Sequence, residues 1–427
     1  MLGLENELQF DPATAEDFFR QLPARAGVCI IEPRAAGAQP FLIRTQDLRR
    51  RLAKLLGLLD AQSKRLNLRE FAGSVRYRVT GSRFEQTLTY YQNAKLLHPT
   101  RYRDLLRMRP PAVLKVSLKN AYPRCFVTRR IPTDAAGQPI AGAYYGPFKK
   151  RKVAERFANG VLDFFKVRRC QIKIRRDPTF PGCLYSEMKM CLAPCFAGCS
   201  QEEYGAEVQR LVQFLDTGGN SLRDALEKER EQASEDLDFE RASVLHKRVE
   251  KLDEALRGGP ELARRVTEIN AVILQRGAEE QTIGAYAVRG GYLSEPLIVR
   301  FAEIASAPKS AEQMFREYLE SPGAAGKSDL SEHLWLLARW FYSKEREGEI
   351  FFHHEQDRQP NWPYRRILRA CSRLLAPEPK VPNEKNAKKP APAGAPEIPT
   401  EAPAEAPGKT APSQQNLFDK PSGEGVT

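Results

Sequence analysis

The residues best suited to chemistry are four cysteines, Cys170, Cys183, Cys191 and Cys195, separated by twelve, seven and three intervening residues. Five of the eight cysteines fall between positions 170 and 199. In a reducing compartment such crowding points to metal ligation rather than to bridges. Four thiolates complete the coordination of a tetrahedral zinc ion or of a cubane cluster, and spacing alone leaves both open. The Cys191–Cys195 pair lets two sulfurs converge from one turn of chain. The surrounding RRDPTFPGCLYSEMKMCLAPC is rich in turn residues, as a metal-knitted loop should be. Cys199 repeats the last spacing and is a competing ligand. The alternative for all five is burial as small apolar side chains.

A second kind of chemistry is electrostatic. The chain carries 67 Lys and Arg against 54 Asp and Glu, a net charge of +13, which predicts a polyanionic partner such as nucleic acid. Lys149, Lys150, Arg151 and Lys152 open a basic stretch running to Arg176, with Phe157, Phe164 and Phe165 interleaved. Upstream, leucines at 48, 52, 55 and 56 define an amphipathic helix with Arg49, Arg50 and Arg51 on its basic face, close behind Arg44. Cations with aromatics suit a phosphodiester backbone. A solvated charged face over an ordinary core is the competing explanation.

The elements that must position these groups follow from periodicity. Residues 17 to 57 predict helix, strand, strand, helix, and 82 to 98 a further helix. A strand pair is expected over 112 to 131, broken at Tyr122-Pro123. Ser200 and Glu203 form a capping-box pattern opening a helix that Gly218 and Gly219 end. Ile283 to Val288, a glycine turn and Leu297 to Phe301 predict a hairpin, and 329 to 344 a strongly apolar helix. No apolar run is long enough to span a bilayer, and the acidic start lacks the features of a signal peptide. A cytoplasmic location without a membrane partner is therefore expected. Beyond Leu375, Pro, Ala, Glu and Lys dominate, and disorder is expected. The expected fold class is α+β multidomain, with units at 1–110, 111–199, 200–257, 258–375 and a tail at 376–427.

Tyr144-Tyr145-Gly146-Pro147-Phe148, the spaced cysteines, and Cys183-Leu184-Tyr185 ahead of Cys191-Leu192-Ala193-Pro194-Cys195 closely resemble the middle of the UvrC family, the C component of excinuclease ABC. The resemblance covers roughly residues 20 to 257. It implies a [4Fe-4S] cluster on Cys170, Cys183, Cys191 and Cys195, where spacing also admits zinc. EQASEDLDFERASVLHKRVEKL looks like the family's UVR motif, a helical hairpin with Leu222, Leu226, Ala233 and Leu237 on one arm. Phe239, Ala242, Leu245, Val249 and Leu252 lie on the other. The likeness implies docking on the helicase-like UvrB component through Phe239, Glu240 and Leu245, although His246-Lys247 stand where the family has Arg-Asp. It also implies DNA binding in nucleotide excision repair, within the SOS response.

Residues 22 to 52 resemble a GIY-YIG nuclease domain. That chemistry uses a tyrosine near the attacking water, an arginine on the phosphate and a glutamate holding one Mg²⁺ or Mn²⁺. The first motif's tyrosine falls on Cys29, the second's on Phe41, its glycine on Ile43 and its lysine on Arg44. The helix arginine is retained as Arg51, whereas the metal-binding glutamate falls on Tyr91. Glu85, six residues earlier, belongs to another helical face. Cysteine and phenylalanine do not reproduce a phenol, and tyrosine is a poor substitute for a carboxylate on a hard cation.

The expectation is a domain that keeps its fold and grips phosphate through Arg44, Arg49, Arg50 and Arg51 without cutting. The alternatives are a nicking endonuclease with an altered constellation and a non-catalytic adaptor tethered to the sliding clamp. For the last, Gln414-Gln415-Asn416-Leu417-Phe418 is similar to a clamp-docking pentapeptide, with Leu417 and Phe418 as the apolar anchor and Gln414 as hydrogen-bonding partner. The family's RNase H-like and helix-hairpin-helix modules are not recognisable in residues 258 to 427. Residues 329 to 344 are weakly similar to the ending of short UvrC-like domains.

Overall fold

A computed structural model describes residues 3–58, 64–259, 261–321, 329–356 and 359–376. The N-terminal unit runs β1 (Asn6–Gln9), α1 (Ala15–Gln21), β2 (Gly27–Pro33), β3 (Phe41–Thr45), α2 (Leu48–Leu56), β4 (Ala72–Val79), α3 (Arg83–Leu97) and α4 (Tyr102–Leu105). Its antiparallel sheet has the order β1-β4-β2-β3. Alternation along β2 and β3 sorts side chains onto two faces. Cys29, Ile31 and Ile43 join a core with α1 and α2, while Leu42 packs toward α3 on the other face. Caps fix the helix starts: Asp47 accepts from the Arg50 amide and Ser82 from the Glu85 amide. Gly27 must be glycine, since a Cβ there would stand 2.4 Å from the Arg78 carbonyl oxygen.

The middle unit has β5 (Ala112–Val116), β6 (Cys125–Thr128), β7 (Ala143–Phe148), α5 (Arg151–Leu162), α6 (Leu184–Glu187) and α7 (Gln201–Asp216). The hairpin of α8 (Asn220–Glu235) and α9 (Phe239–Arg257) follows, and β8 (Arg264–Arg265) returns to complete a sheet of order β6-β5-β7-β8. The capping box at Ser200 and Glu203 is formed, and Gly218 and Gly219 take positive φ just after α7. One continuous core joins this sheet to α5, α7 and the hairpin. Phe157, Phe164 and Phe165 lie inside it, which corrects the expectation that they flank bound phosphates. Apolar burial claims these rings before any base can stack on them.

The C-terminal unit contains β9 (Ala271–Arg276), β10 (Thr282–Arg289), β11 (Tyr292–Leu293), β12 (Leu297–Arg300), α10 (Ala311–Glu320), α11 (Leu330–Phe341), β13 (Glu349–Phe352) and α12 (Tyr364–Leu375). The order is β11-β10-β9-β13, and β12 also pairs with β10. Helix α11 is apolar almost all round because it is a shared spacer. Its Leu334, Trp335 and Leu337 pack with Phe84, Leu88 and Tyr91 of α3, with Val113 and Tyr144 of the middle sheet, and with Tyr286 of β10. The described residues up to 376 therefore form a single packed unit. Among them no helix is long and apolar enough to cross a membrane.

Candidate four-thiol centre and nuclease-like face

The cysteine loop is pinned at both ends. Tyr204 of α7, fully buried, donates its hydroxyl to the Pro123 carbonyl at 2.7 Å and accepts from the Arg168 amide at 3.0 Å. Arg168 then fans out, donating to the carbonyls of Tyr122, Cys170 and Ile172, and approaching Cys170 Sγ at 3.7 Å. The Asp177 amide donates to the Cys195 carbonyl at 2.9 Å. Ala193 and Ala197 adopt left-handed backbone conformations on either side of Cys195, which folds the chain tightly around that sulfur.

All eight cysteines are free thiols. Cys170, Cys183, Cys191 and Cys195 lie within electrostatic reach of one another. Burial pushes the Cys191 thiol up to about 11, the Ala193 amide opposes the shift, and Cys170, Cys195 and Cys183 add to it. That amide donates to Cys191 Sγ at 3.3 Å. Burial also raises Cys195, against a hydrogen bond from the Phe196 amide. Thiolates gathered in this way repel until a cation joins them, and their N–H donors favour the charged, ligating form. A soft, sulfur-only donor set suits zinc or iron–sulfur. Among the described residues no three His, Cys, Asp or Glu side chains meet the geometry of a single-ion site. Cys199 belongs to the apolar core beneath the loop. There it packs as a small apolar side chain, its thiol raised by burial, by Glu203 and, more weakly, by nearby Cys195, with Arg176 opposing.

On the N-terminal unit, Cys29 is wholly buried and its thiol is pushed up to about 12 by burial, with the Arg51 guanidinium pulling the other way. Arg51 itself is exposed, as is Arg50. Arg49 is committed elsewhere: it donates to the carbonyls of Leu22 and Arg20, closing the end of α1. Phe41 is exposed at the sheet edge. Arg44, on the opposite face from Cys29, lies over the Tyr90 ring at 5.4 Å.

Tyr91 is 3% exposed and sealed beneath α11. Its hydroxyl donates to Glu332 Oε2 at 2.6 Å, and Lys95 Nζ donates to both at 3.0 and 2.9 Å. Tyr102 and Arg103 donate to the other carboxylate oxygen. Burial alone would raise the Glu332 carboxyl, but these four donors bring it down to about 2. Sequence reasoning missed this latch, since its two halves stand 241 residues apart. Glu85, the single carboxylate of α3, is buried, accepts from the Gly81 amide and pairs with Arg78.

Lys149, Lys150, Arg151 and Lys152 are exposed where α5 begins. The hairpin buries Leu222, Leu226, Ala233, Leu245, Val249 and Leu252 in its seam and against the middle unit. Leu237, Phe239 and Val244 are instead 72%, 65% and 62% exposed at its tip. Leu237 thus leaves the apolar row of its arm, because it turns the chain with positive φ between the helices, and Phe239, expected as a partner contact, lies beside it in the open. Leu245 faces inward, so it supports the tip rather than presenting a contact; Glu240 is exposed. Gln414, Leu417 and Phe418 lie outside the described residues.

Fold and site together define a basic α+β protein in which a thiol-rich loop leads into a helical hairpin with an apolar tip. Residues 112–214 match the family described as UvrC/Cho excinuclease, middle domain, and residues 220–255 match the UvrB/uvrC motif. The chain therefore carries the middle domain and the UVR motif of the UvrC family. It is 31% identical over 204 residues to a UvrABC system protein C of Nitratidesulfovibrio vulgaris, covering 48% of this chain and 27% of that protein. With the UvrABC system protein C of a Thermoanaerobacter species it shares 25% identity over 347 residues, 79% of this chain and 55% of the relative. The Idiomarina loihiensis protein of that name is 27% identical over 286 residues, 67% of this chain and 44% of its own. The chain thus spans about half or less of these relatives. No solved structure matches it.

Proposed function

We propose that this protein serves nucleotide excision repair as a UvrC-type component that binds DNA, carries a [4Fe-4S] cluster and recruits a UvrB-type partner, without cutting through its N-terminal centre. The observation that carries this reading is the single core joining the matched middle domain to the matched hairpin, with Leu237, Phe239 and Val244 left bare. A rigidly based hairpin with an apolar tip is suited to docking on another hairpin. Cys170, Cys183, Cys191 and Cys195 would hold the cluster, which when bound cross-links the loop between α5 and α7. Arg168, the Ala193 amide and Tyr204 orient the ligating sulfurs.

Exposed Arg44, Arg50, Arg51, Lys149, Lys150, Arg151 and Lys152 supply phosphate contacts. The non-cutting part of the proposal is supported by Tyr91, which stands where the resemblance requires a metal-binding carboxylate and is closed off by Glu332. Mg²⁺ or Mn²⁺ enters only if cutting persists. Sequence alone supports tethering to the sliding clamp through residues 414–418.

The test uses the full chain, purified free of other nucleases, with lesion-containing duplex, Mg²⁺ or Mn²⁺ and a UvrB protein. Stable association with UvrB and intact DNA strands are expected. Nicking that disappears in Arg51→Ala would overturn the non-cutting part.

A further inference from the structure

Two clefts meet at one side chain of α11. The first, about 640 Å³, opens between the N-terminal unit and α11 and is lined by Arg44, Gln46, Arg83 and Arg339. The second, about 350 Å³, lies where α11 meets the middle unit, and its cations are Arg109, Arg129, Lys149, Lys150, Arg151 and Arg339. Arg339 lines both, its guanidinium held over the Trp335 ring at 5.4 Å. On the opposite wall of the first cleft Arg44 lies over Tyr90. The acids of that cleft, Glu345 and Glu347, are taken up by Arg83 at 2.8 and 3.4 Å. No acid among the described residues lines the second cleft. Among the described residues, Arg44, Arg109, Arg129, Lys149, Lys150 and Arg339 form no ion pair with a carboxylate.

Holding like charges together in a recess costs repulsion that an anion removes. Arg339 bears this out physically: burial lowers its guanidinium, and Arg44 lowers it further. The Tyr90 and Trp335 rings, each 5.4 Å from a guanidinium carbon, restrain the two cations while leaving their N–H groups free for phosphate oxygens. The start of α5, lacking a side-chain cap, directs its positive end to the same place.

We propose that the two clefts form one continuous groove for the phosphodiester backbone of a single DNA strand, entered at Arg44, clamped midway by Arg339 and left along Arg109, Arg129, Lys149 and Lys150. This deepens, and rests on, the DNA-binding reading above. It assigns a role to the C-terminal unit: α11 supplies the central phosphate contact and aligns the other two units on one strand.

The test is binding of the full chain to a fluorescein-labelled DNA duplex across a salt series. Removing one phosphate-binding cation should reduce the slope of log K against log salt by about 0.9. Arg339→Gln and Arg44→Gln are each expected to flatten the slope by about that amount and to weaken binding several-fold, and Arg339→Lys to restore it. A thermal melt checks folding. If Arg339→Gln is unfolded, Arg44→Gln, at an exposed strand position, carries the test alone. Unchanged slopes in Arg339→Gln and Arg44→Gln, alongside a flattened slope in a Lys149→Gln/Lys150→Gln variant, would overturn the groove and leave DNA binding at α5 standing. A wild-type chain with no salt-dependent DNA binding would remove both.

Discussion

Cys199 and its four neighbours share a residue type and a stretch of chain, yet the fold separates them. Cys195 and Cys199 are equally buried, at 6% and 7% exposed, but only Cys199 is part of the apolar core under α7; Cys170, Cys183 and Cys191 are partly open to solvent and Cys195 is flanked by left-handed turns. Each of Cys170→Ser, Cys183→Ser, Cys191→Ser and Cys195→Ser should therefore deplete iron and the brown colour from anaerobically purified protein. Cys199→Ala should keep both and lower stability by about 1 kcal/mol, read by denaturant melts. Retention of the cluster in Cys191→Ser, or its loss in Cys199→Ala, would reassign the ligands. The crowding of cysteines was legible because residues drawn from one loop leave their mark in local spacing. That Cys199 joins the apolar core was not legible, because its burial depends on how α7 docks on the middle sheet. For the same reason Phe157, Phe164 and Phe165 read as part of a basic surface when they belong to the core.

At the scale of elements, the helix–strand–strand–helix run of residues 17–57 and the apolar helix at 329–344 were readable from periodicity. The docking of α11 on α3 was not, since nothing local in either helix names the other. What fastens them is the Glu332 latch, and its electrostatics make a pH prediction. Glu332 falls from its ordinary 4.5 to about 2 on folding. Its stabilising effect is therefore present above pH 4.5 and is lost as pH falls toward 2. Beside it, His333 accepts the Leu293 amide at Nδ1, and burial, reinforced by Lys95 and opposed by Glu332 and Asp329, lowers it from 6.5 to about 4. The unfolded chain takes up that proton first, so stability also declines as pH falls from 6.5 toward 4. Thermal melts should thus show two losses on acidification, and Glu332→Gln should abolish only the lower one. At neutral pH the same substitution takes the carboxylate from Lys95, while Arg103 keeps Asp329; with both cations partly screened by solvent it should cost about 1–3 kcal/mol. A variant whose acid profile matches the wild type would show that the latch does not hold the units together.

Across the described residues, the shared α11 core and the joined hairpin core leave the UVR tip as a place where three apolar side chains project close together, Leu237, Phe239 and Val244. Leu237 and Phe239 were expected on the two arms of the hairpin, and the turn at Leu237 leaves both exposed, with Val244 beside them. A buried seam and a bare tip make separable predictions. Phe239→Ser removes an aromatic anchor that touches little of this chain. It should leave the melting temperature unchanged while weakening association with a UvrB protein by about thirtyfold, the range of an interface hot spot of about 2 kcal/mol. Leu245→Ala removes buried volume between α8 and α9 and should cost about 2–4 kcal/mol of stability. Any loss of partner binding in that variant should be smaller than in Phe239→Ser at temperatures where the hairpin stays folded. Titration calorimetry against UvrB, paired with a thermal melt of each variant, distinguishes the two roles. An early melt for Phe239→Ser would put Phe239 back in the seam, and the docking surface would then have to lie elsewhere on the hairpin.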